Sequence, residues 1–251
     1  MTVLYLPWSD NRIRTATLTS TNEDANFPRT RLQLPFGDRM FRFDTAAADM
    51  TLTADLGSAL ACTFSSLHFH NIDAGITSVV LSSDDNSGFS SPTTRATFTV
   101  ASPTFFATFA SASERYWRLT FNGTNGSAIY LAKWTLGVHS SLWRGPLPEW
   151  GEIREMPQTQ QKGRRINRAT HPPRRFELSF LYSTTAQKDE ILALAEETAW
   201  GQEPLAIVPY DSEATVLFAR LPNVLDFQRV NTAIRRFSLS IVEDDFPVVV
   251  T

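Results

Sequence analysis

A seven-residue phrase that occurs twice in the last third of the chain constrains the fold more than any other feature. Residues 174–180 read RRFELSF, and residues 235–241 read RRFSLSI. Apolar residues occupy alternate positions in both copies, which is typical of a strand with one buried face. One predicted helix lies between the copies. The sequence therefore predicts a small, self-similar, strand-dominated unit, which suits an assembly better than it suits catalysis.

The composition excludes several classes of protein. Apolar residues make up 42% of the 251 residues, which is enough for packed cores, and the net charge of -3 argues against a general nucleic-acid binder. Cys62 is the single cysteine, so a disulfide scaffold and a cysteine-rich metal site are excluded. No apolar run approaches the roughly 20 residues that span a membrane. We therefore expect a soluble protein without a membrane span, made in a reducing cytoplasm.

The first half of the chain reads as short strands separated by turns. The predicted strands are residues 16–19, 50–57, 63–69, 77–82, 95–100, 104–109, 116–121 and 129–136. Turns are predicted at residues 84–88 and at Asn122-Gly123, a dipeptide that favours tight turns. Many short strands without a helix predict a β-sandwich over residues 1–140.

A change of composition marks the next segment, residues 141–173. It begins with a connector rich in Pro and Trp, and eight of the 23 Lys and Arg residues lie between Arg144 and Arg175. We interpret it as a linker followed by an exposed basic arm or long hairpin.

The final predicted domain, residues 174–251, contains one helix among strands. Thr184 and Gln187 have the spacing of a capping box, which predicts a helix over about residues 186–199. Its expected buried face consists of Ile191, Leu194, Ala195 and Thr198. The expected strands are residues 174–182, 205–210, 216–221, 224–230 and 233–242, of which 216–221 and 224–230 are expected to pair.

No motif for catalysis or for a cofactor stands out, so we predict that the chain is not an enzyme and holds no cofactor. Asp84-Asp85 and Asp244-Asp245 are adjacent pairs whose side chains point to opposite sides of a strand. This arrangement favours turn and cap roles over the facing carboxylates of a glycan hydrolase. We interpret Cys62 as a core residue and not as a nucleophile.

Two histidines raise the question of a metal site. His68 and His70 share one face of a predicted strand, a spacing that some metal ligands have. The sequence offers no obvious third or fourth ligand. We therefore interpret them as histidines on a polar strand face and predict no metal.

Pairs of arginines, Arg164-Arg165 and Arg174-Arg175, have two interpretations. They can contact nucleic acid, or they can form a basic edge that faces solvent or a protein partner. No aromatic residues alternate with them as base stacking requires, so we favour the second and predict no specific nucleic acid. Arginine doublets on edge strands also discourage unwanted sheet pairing.

The first half resembles the galactose-binding-like, discoidin-type jelly roll. The matching segments are DANFP at 24–28, TLTADLG at 51–57, SVVLSSD at 78–84 and YWRL at 116–119. This resemblance implies a sandwich whose loops at one end often bind sugars. For such a site the candidates are Arg39, His70 and Asn71, because guanidinium, imidazole and amide groups suit hydroxyl recognition.

The second half resembles the ring-forming β-barrel or sandwich of phage tail-tube and distal-tail proteins. In those proteins sheets flank one helix, and a long hairpin reaches the neighbouring subunit. The strand at 174–182, the helix at about 186–199 and the later strands fit that order, and residues 158–170 fit the hairpin. In distal-tail proteins the ring domain comes first, whereas here the order is reversed.

Together these features predict a mainly β fold with an N-terminal jelly roll and a C-terminal β-barrel or sandwich with one packed helix. The predicted function is that of a virion structural protein in the tail tip of a long-tailed phage, assembled in the host cytoplasm as a ring of six copies. Its predicted partners are its own copies, other tail proteins and host surface glycans. The predicted inter-subunit residues are Arg164, Arg165, Arg174, Arg175, Arg235 and Arg236. The alternative is a carbohydrate-binding module of a cell-surface or receptor-binding protein.

Overall fold

The structure is a computed structural model that describes most of the chain. The described residues are 2–35, 40–44, 50–98, 104–143, 150–154, 158–161, 164–167, 174–182, 184–198, 202–208, 216–221, 226–229 and 235–243. Arg39 lies outside them, as do residues 244–251 with the Asp244-Asp245 pair.

Strands dominate the described residues. The strands are β1 (Thr2–Pro7), β2 (Thr17–Ser20), β3 (Phe41–Arg42), β4 (Met50–His70), β5 (Ile76–Asp84), β6 (Thr93–Phe98), β7 (Thr104–Gly123), β8 (Tyr130–Gly137), β9 (Ser140–Trp143), β10 (Trp150–Arg154), β11 (Gln158–Gln161), β12 (Arg164–Asn167), β13 (Arg174–Tyr182), β14 (Leu205–Val208), β15 (Leu217–Arg220), β16 (Asp226–Arg229) and β17 (Arg235–Glu243). One α-helix, α1, spans Thr185–Glu197, and short 3-10 turns span Trp8–Asp10, Arg12–Arg14 and Arg29–Gln33. The prediction of a mainly β fold is confirmed.

The first half, which we call the jelly roll after the family that its sequence resembles, forms one antiparallel sheet in the order β3-β8-β4-β7-β5-β6, with β2 paired to β4. The strands predicted at 50–57 and 63–69 are one continuous strand, β4, and those at 104–109 and 116–121 are β7. These two strands pair along their length, with register shifts between Asp55 and Leu60 and between Cys62 and Phe64. The pairing resumes after each shift, as it does at a bulge, so turn-like residues here do not reverse the chain.

A large apolar core lies beneath this sheet. Alternation in β7 places Trp117, Leu119 and Phe121 in the interior, each fully buried. Phe41 and Phe43 pack there with ring centroids 4.7 Å apart in an edge-to-face arrangement. Each such side chain contributes about 1.5–3 kcal/mol through removal of apolar surface from water. Cys62 is also fully buried in this core, as predicted.

The repeated phrases pair with each other at the centre of a second sheet. Its order is β10-β13-β17-β15-β14-β1-β9, with β16 also paired to β17. In the β13–β17 register Phe176 lies opposite Ile241, and Phe180 lies opposite Phe237. The two copies therefore align their apolar positions across one antiparallel pair.

Two expectations about this sheet are wrong. Residues 216–221 and 224–230 do not pair with each other: β15 pairs with β14 and β17, and β16 pairs with β17. The arginine doublet at Arg174-Arg175 does not lie on an edge strand, because β13 lies between β10 and β17.

The first strand joins the second sheet although it precedes the jelly roll. β1 pairs with β14 on one side and with β9 on the other. Residues 2–7 thus share a sheet with residues 205–208, while the boundaries at 140 and 173 stay a prediction.

Helix α1 begins with the predicted capping box. The Gln187 backbone N–H donates to Thr184 Oγ1 at 3.3 Å, and the Thr184 backbone N–H donates to Gln187 Oε1 at 3.4 Å. Its predicted buried face is confirmed, since Ile191, Leu194, Ala195 and Thr198 are all buried.

The helix packs beside one face of the second sheet. Ile191 and Leu194 form a buried cluster with Val3, Tyr5 and other strand residues. Burial, together with the nearby carboxylates of Glu197 and Glu190, raises the pKa of Tyr5 to about 12.

The other face of the second sheet packs against the jelly roll. Leu6 and Val208 pack on Phe64 of β4, and the edge of Trp8 meets Phe218 with centroids 5.9 Å apart. β1 and β14 are therefore covered on both faces, which explains why Leu205–Val208 is apolar at every position.

This packing buries polar groups of the jelly roll. His68 lies opposite Lys133 in the β4–β8 register, and both are fully buried. The His68 ring centroid lies 5.5 Å from that of Phe218, and Lys133 Nζ lies 5.9 Å from the same centroid. The strand face that the sequence predicts to be polar is thus covered at His68 by the second sheet.

Residues 158–161 and 164–167 form a hairpin of their own. Gln158 pairs with Asn167 and Gln161 with Arg164, in a two-stranded sheet separate from the other two. This agrees with the hairpin expected after the linker. No helix in the described part of the chain is long and apolar enough to cross a membrane.

Candidate functional site

One end of the jelly roll gathers the segments that connect its strands. We call it the loop end and define it by residues 21–31, 40–44, 71–75 and 122–130. Backbone hydrogen bonds join these segments: Arg42 N–H donates to Phe27 O, and Phe43 N–H donates to Ile129 O, both at 3.0 Å. The loop end is therefore one connected surface.

Side chains of Asn71 and Asn125 lock the two loops that follow β4 and β7. Asn71 Nδ2 donates to Ala128 O at 2.8 Å, and its Oδ1 accepts from Tyr130 N–H at 2.7 Å. Buried Asn125 accepts from Asp73 N–H through Oδ1 at 2.7 Å. These bonds hold both loops in one arrangement before any ligand arrives, and such preorganisation lowers the entropic cost of binding.

Arginine and aromatic side chains form a cluster at the surface of the loop end. The guanidinium carbon of Arg42 lies 4.4 Å from the ring centroid of Phe27 and 5.4 Å from that of Tyr130. Arg31 lies over the same Phe27 ring at 4.9 Å. We call Phe27, Arg31, Arg42 and Tyr130 the loop-end cluster; all four are half-buried.

Hydrogen bonds fix the position of Arg42 within the cluster. Its Nη1 donates to Tyr130 Oη at 3.0 Å, and its Nη2 forms an ion pair with Asp24, whose side chain is 5% exposed. Asp24 Oδ1 also accepts from Asn26 N–H at 2.8 Å, which shapes the turn that carries Phe27. The sequence around Asp24 thus folds the loop so that Phe27 lies beside Tyr130.

A second ion pair supports the same loop. Arg29 Nη1 pairs with Glu23, and Glu23 also accepts from Ser20 Oγ at 2.9 Å and from Arg29 N–H at 3.2 Å. Burial alone raises the pKa of Glu23, but the hydrogen bonds from Arg29 and Ser20 outweigh it, so the pKa is lowered overall.

The structure describes two of the three residues proposed for sugar binding. His70 packs on Phe105 with centroids 4.8 Å apart, and its Nδ1 accepts from Ile72 N–H at 3.3 Å. Asn71 follows it, but its amide holds the loops together, as described above. Their role in binding stays a prediction, as does that of Arg39.

Sequence reasoning missed the members of the loop-end cluster. Phe27 belongs to a segment that matched the jelly-roll family, yet it was not proposed as a site residue. Arg42 and Tyr130 are adjacent only because β3 pairs with β8, Arg42 lying opposite Tyr130. A signal was present in Arg31 and Arg42, two cations that flank a predicted loop, but only the strand pairing brings them to one ring.

The opposite end of the jelly roll arranges its charged groups differently. We call it the hairpin end and define it by residues 55–60, 84–95 and 113–118. Arg115 Nε and Nη2 donate to the two carboxylate oxygens of Asp55 at 2.7 and 2.9 Å, and Arg95 pairs with Glu114 at 3.1 Å. Arg118 lies over Phe89 at 3.7 Å.

The carboxylates of the hairpin end repel one another. Burial raises the pKa of Glu114, and the neighbouring carboxylate of Asp85 raises it further. In contrast, the pKa of Asp84 is lowered by hydrogen bonds from the backbone of Asn86 and Ser91. Within the described ranges no cluster of three or more His, Cys, Asp or Glu is arranged to hold a metal ion.

The residues proposed for inter-subunit contacts lie in the second sheet and its hairpin. Arg164 and Arg165 are on β12, Arg174 and Arg175 on β13, and Arg235 and Arg236 on β17. In the pairing of β13 with β17, Arg236 lies opposite Leu181, and Arg235 lies opposite Tyr182. Their inter-subunit role stays a prediction.

Comparisons with solved structures describe the first half of the chain. A chitosan-binding module 1 from the chitosanase/glucanase of Paenibacillus sp. IK-5 matches 51% of this chain and 98% of its own, with 17% identity and a TM-score of 0.46. CpGH89CBM32-5 from Clostridium perfringens, solved with GalNAc-β-1,3-galactose, matches 53% and 99%, with 12% identity and a TM-score of 0.43. The lectin domain of lectinolysin, solved with Lewis B antigen, matches 51% and 96%, with 12% identity and a TM-score of 0.42.

The N-terminal half thus resembles carbohydrate-binding and lectin β-sandwich domains. Identities this low say nothing about which residues or ligands this chain uses. No protein-family model and no curated protein matches the chain. None of the similarities supports an assignment to a phage tail.

Proposed function

We propose that this protein binds a glycan at the loop end of its jelly roll. The loop-end cluster is the observation that carries the proposal, because it combines aromatic rings with guanidinium groups on loops that are already locked. Aromatic faces are electron-rich and attract the C–H groups of a sugar, while arginine offers planar sets of donors to its hydroxyls. Few polar groups placed among aromatic side chains are typical of small-ligand sites.

Each member of the cluster has a distinct role in this proposal. Arg42 is held by Asp24 and Tyr130 and keeps the rings in place. Phe27 and Tyr130 supply the apolar contact, and the Tyr130 hydroxyl, which accepts from Arg42, retains its own proton for donation to the ligand. The protein acts by binding and catalyses no reaction.

A glycan array tests the proposal directly. Wild-type protein is compared with the double variant Phe27→Ala/Tyr130→Ala and with Tyr116→Ala. Tyr116 is a half-buried ring at the hairpin end that stacks with Arg115 at 4.9 Å. Tyr116→Ala therefore removes a similar group from the end that does not contain the proposed site. Circular dichroism checks that each variant is folded.

We expect wild type and Tyr116→Ala to retain the same glycans, and the double variant to lose at least about tenfold in affinity. The proposal fails if wild type retains no glycan, or if a folded double variant binds as wild type does.

An assembly function is the second candidate, and the edges of the second sheet favour it. Among the described residues β9 and β10 each have one partner strand, and the β11–β12 hairpin pairs only within itself. Unpaired edges accept further strands, and an isolated two-stranded hairpin is marginally stable without another surface. The finer proposal is a homo-oligomeric ring in the virion, in the tail tip of a long-tailed phage.

Light scattering coupled to size-exclusion chromatography tests this candidate. The charge-reversed variant Arg164→Glu/Arg165→Glu alters the hairpin, and the glycan site lies in the other half of the chain. The candidate predicts a concentration-dependent oligomer in wild type that this variant weakens. A wild-type monomer at all concentrations, with or without glycan, contradicts it.

A further inference from the structure

We propose that the loop end selects anionic glycans, sugars that carry a carboxylate or a sulfate group, and that Arg31 contacts the anionic group. The inference rests on the proposed glycan-binding function and names the class of its ligand.

Arg31 carries the one charge of the loop-end cluster that the described residues leave unbalanced. Its Nη1 donates to Met40 O at 3.3 Å, and none of the ion pairs in the described part of the chain includes it. Its Nε and Nη2 donors remain for a ligand. The side chain is half-buried, so the guanidinium is both reachable and partly shielded from water.

The neighbouring arginines differ from Arg31 in this respect. Arg42 is balanced by Asp24, and Arg29 by Glu23. A negatively charged ligand therefore meets, at Arg31, a guanidinium that no carboxylate of the described residues pairs with.

Two other carboxylates belong to the loop end, and neither pairs with Arg31. Asp73 accepts backbone N–H groups of Gly75 and Gly126, at 2.8 and 2.7 Å. Asp44 is exposed and forms no ion pair with Arg31.

Stacking on Phe27 prepares the guanidinium for a flat, two-oxygen partner. A ring below the guanidinium restricts its orientation and leaves its edge donors free, which reduces the entropy lost on binding. Carboxylate and sulfate offer paired oxygens that match this edge, and charged hydrogen bonds are about twice as strong as neutral ones. We therefore expect about tenfold preference over a neutral sugar of the same core.

The experiment uses an array of glycans that share a core and differ in the anionic group attached to it. Lactose, 3′-sialyllactose and 3′-sulfolactose share one core, and the second and third separate carboxylate from sulfate. The array also contains other glycan cores, each in a neutral, a carboxylated and a sulfated form. Wild type, Arg31→Gln and Arg118→Gln are compared at low and at high salt.

Arg118→Gln is the matched control, because Arg118 also stacks on a phenylalanine and also lacks a carboxylate partner in the described residues, but lies at the hairpin end. We expect wild type and Arg118→Gln to prefer anionic members about tenfold. We expect Arg31→Gln to bind charged and neutral members equally, and high salt to reduce the preference of wild type.

The outcomes separate the two proposals. If wild type binds the neutral glycans as well as the anionic ones, the anionic preference is wrong and the proposed glycan-binding function still stands. An anionic preference that Arg31→Gln keeps, or that Arg118→Gln loses, overturns the assignment to Arg31. Retention of no glycan of any core overturns the proposed function and this inference together.

Discussion

The two ends of the jelly roll contain the same charged groups, three arginines and four carboxylates each, in different arrangements. At both ends arginines stack on aromatic rings and pair with aspartate or glutamate. At each end one arginine, Arg31 or Arg118, has no carboxylate partner among the described residues, and at the hairpin end burial and the neighbouring Asp85 and Asp84 raise the pKa of Glu114. The arginine–aromatic stack is therefore common to both ends. The ends differ in the donors of the unpaired arginine, because Arg118 Nε donates to Thr53 Oγ1 at 3.1 Å, whereas the proposed role of Arg31 uses its Nε and Nη2.

The largest expected difference between the two ends is in the unfolding free energy that is lost when a glycine is replaced by alanine. At the loop end Gly123 has φ +111°, and a Cβ there would lie 2.2 Å from Gly75 O. At the hairpin end Gly57 has φ +78°, but a Cβ there would have no heavy atom within 4 Å. We expect Gly123→Ala to lose at least ~3 kcal/mol of unfolding free energy, and Gly57→Ala ~1 kcal/mol.

Urea unfolding of both variants measures these losses. Equal losses would mean that the loops at residues 75 and 123 can separate, and that the loop end is not the locked surface described here. Native-state hydrogen exchange at Thr124, whose N–H donates to Gly75 O at 3.1 Å, reports the same loops independently.

The second-largest expected effect is the loss of stability when the arginine is removed from the Asp24–Arg42 pair or from the Asp55–Arg115 pair. The Asp24 side chain is 5% exposed, so Arg42→Ala leaves a nearly buried carboxylate without its cation. The Asp55 and Arg115 side chains are 27% and 43% exposed, so water screens that pair. We expect Arg42→Ala to cost ~2 kcal/mol in unfolding free energy and Arg115→Ala to cost clearly less.

Thermal and urea unfolding at pH 7 test this difference. The double variant Asp24→Asn/Arg42→Ala removes both charges and should recover part of the loss. A larger loss at Arg115 than at Arg42 would contradict the assignment of Arg42 as the support of the cluster.

Local patterns in the sequence predict much of this fold. The repeated phrases predict strands β13 and β17, and the spacing of Thr184 and Gln187 predicts α1 with its cap. These features depend on residues that are close in the sequence, so a short-range sequence pattern is enough to predict them. The continuous strand β4 was divided at Gly57 because a bulge and a turn have similar composition.

Long-range packing is what the sequence does not reveal. His68 alternates with apolar residues and was therefore assigned to a polar face, but β15 brings Phe218 onto it. Likewise, Arg42 and Tyr130 are 88 positions apart and meet through one strand pairing. The loop-end cluster could not be found from periodicity, because each of its members looks like an ordinary loop or strand-end residue.

The smallest expected effect is on how stability changes with pH, because one glutamate at each end contributes to that change with opposite sign. At the loop end the pKa of Glu23 is lowered from 4.5, so its contribution to stability is present above that value and is lost as pH falls through the folded pKa. At the hairpin end the pKa of Glu114 is raised from 4.5 by burial and Asp85, so its contribution is present below that value and is lost as pH rises.

We therefore compare unfolding free energies at pH 3 and pH 7 for Glu23→Gln and Glu114→Gln. The gain in stability from pH 3 to pH 7 should shrink in Glu23→Gln and grow in Glu114→Gln, each by less than ~1 kcal/mol because both groups are partly exposed. The Arg95 ion pair lost in Glu114→Gln does not reverse the sign, since the raised pKa already includes its attraction. Changes of the same sign in both variants would contradict the opposite surroundings assigned to Glu23 and Glu114.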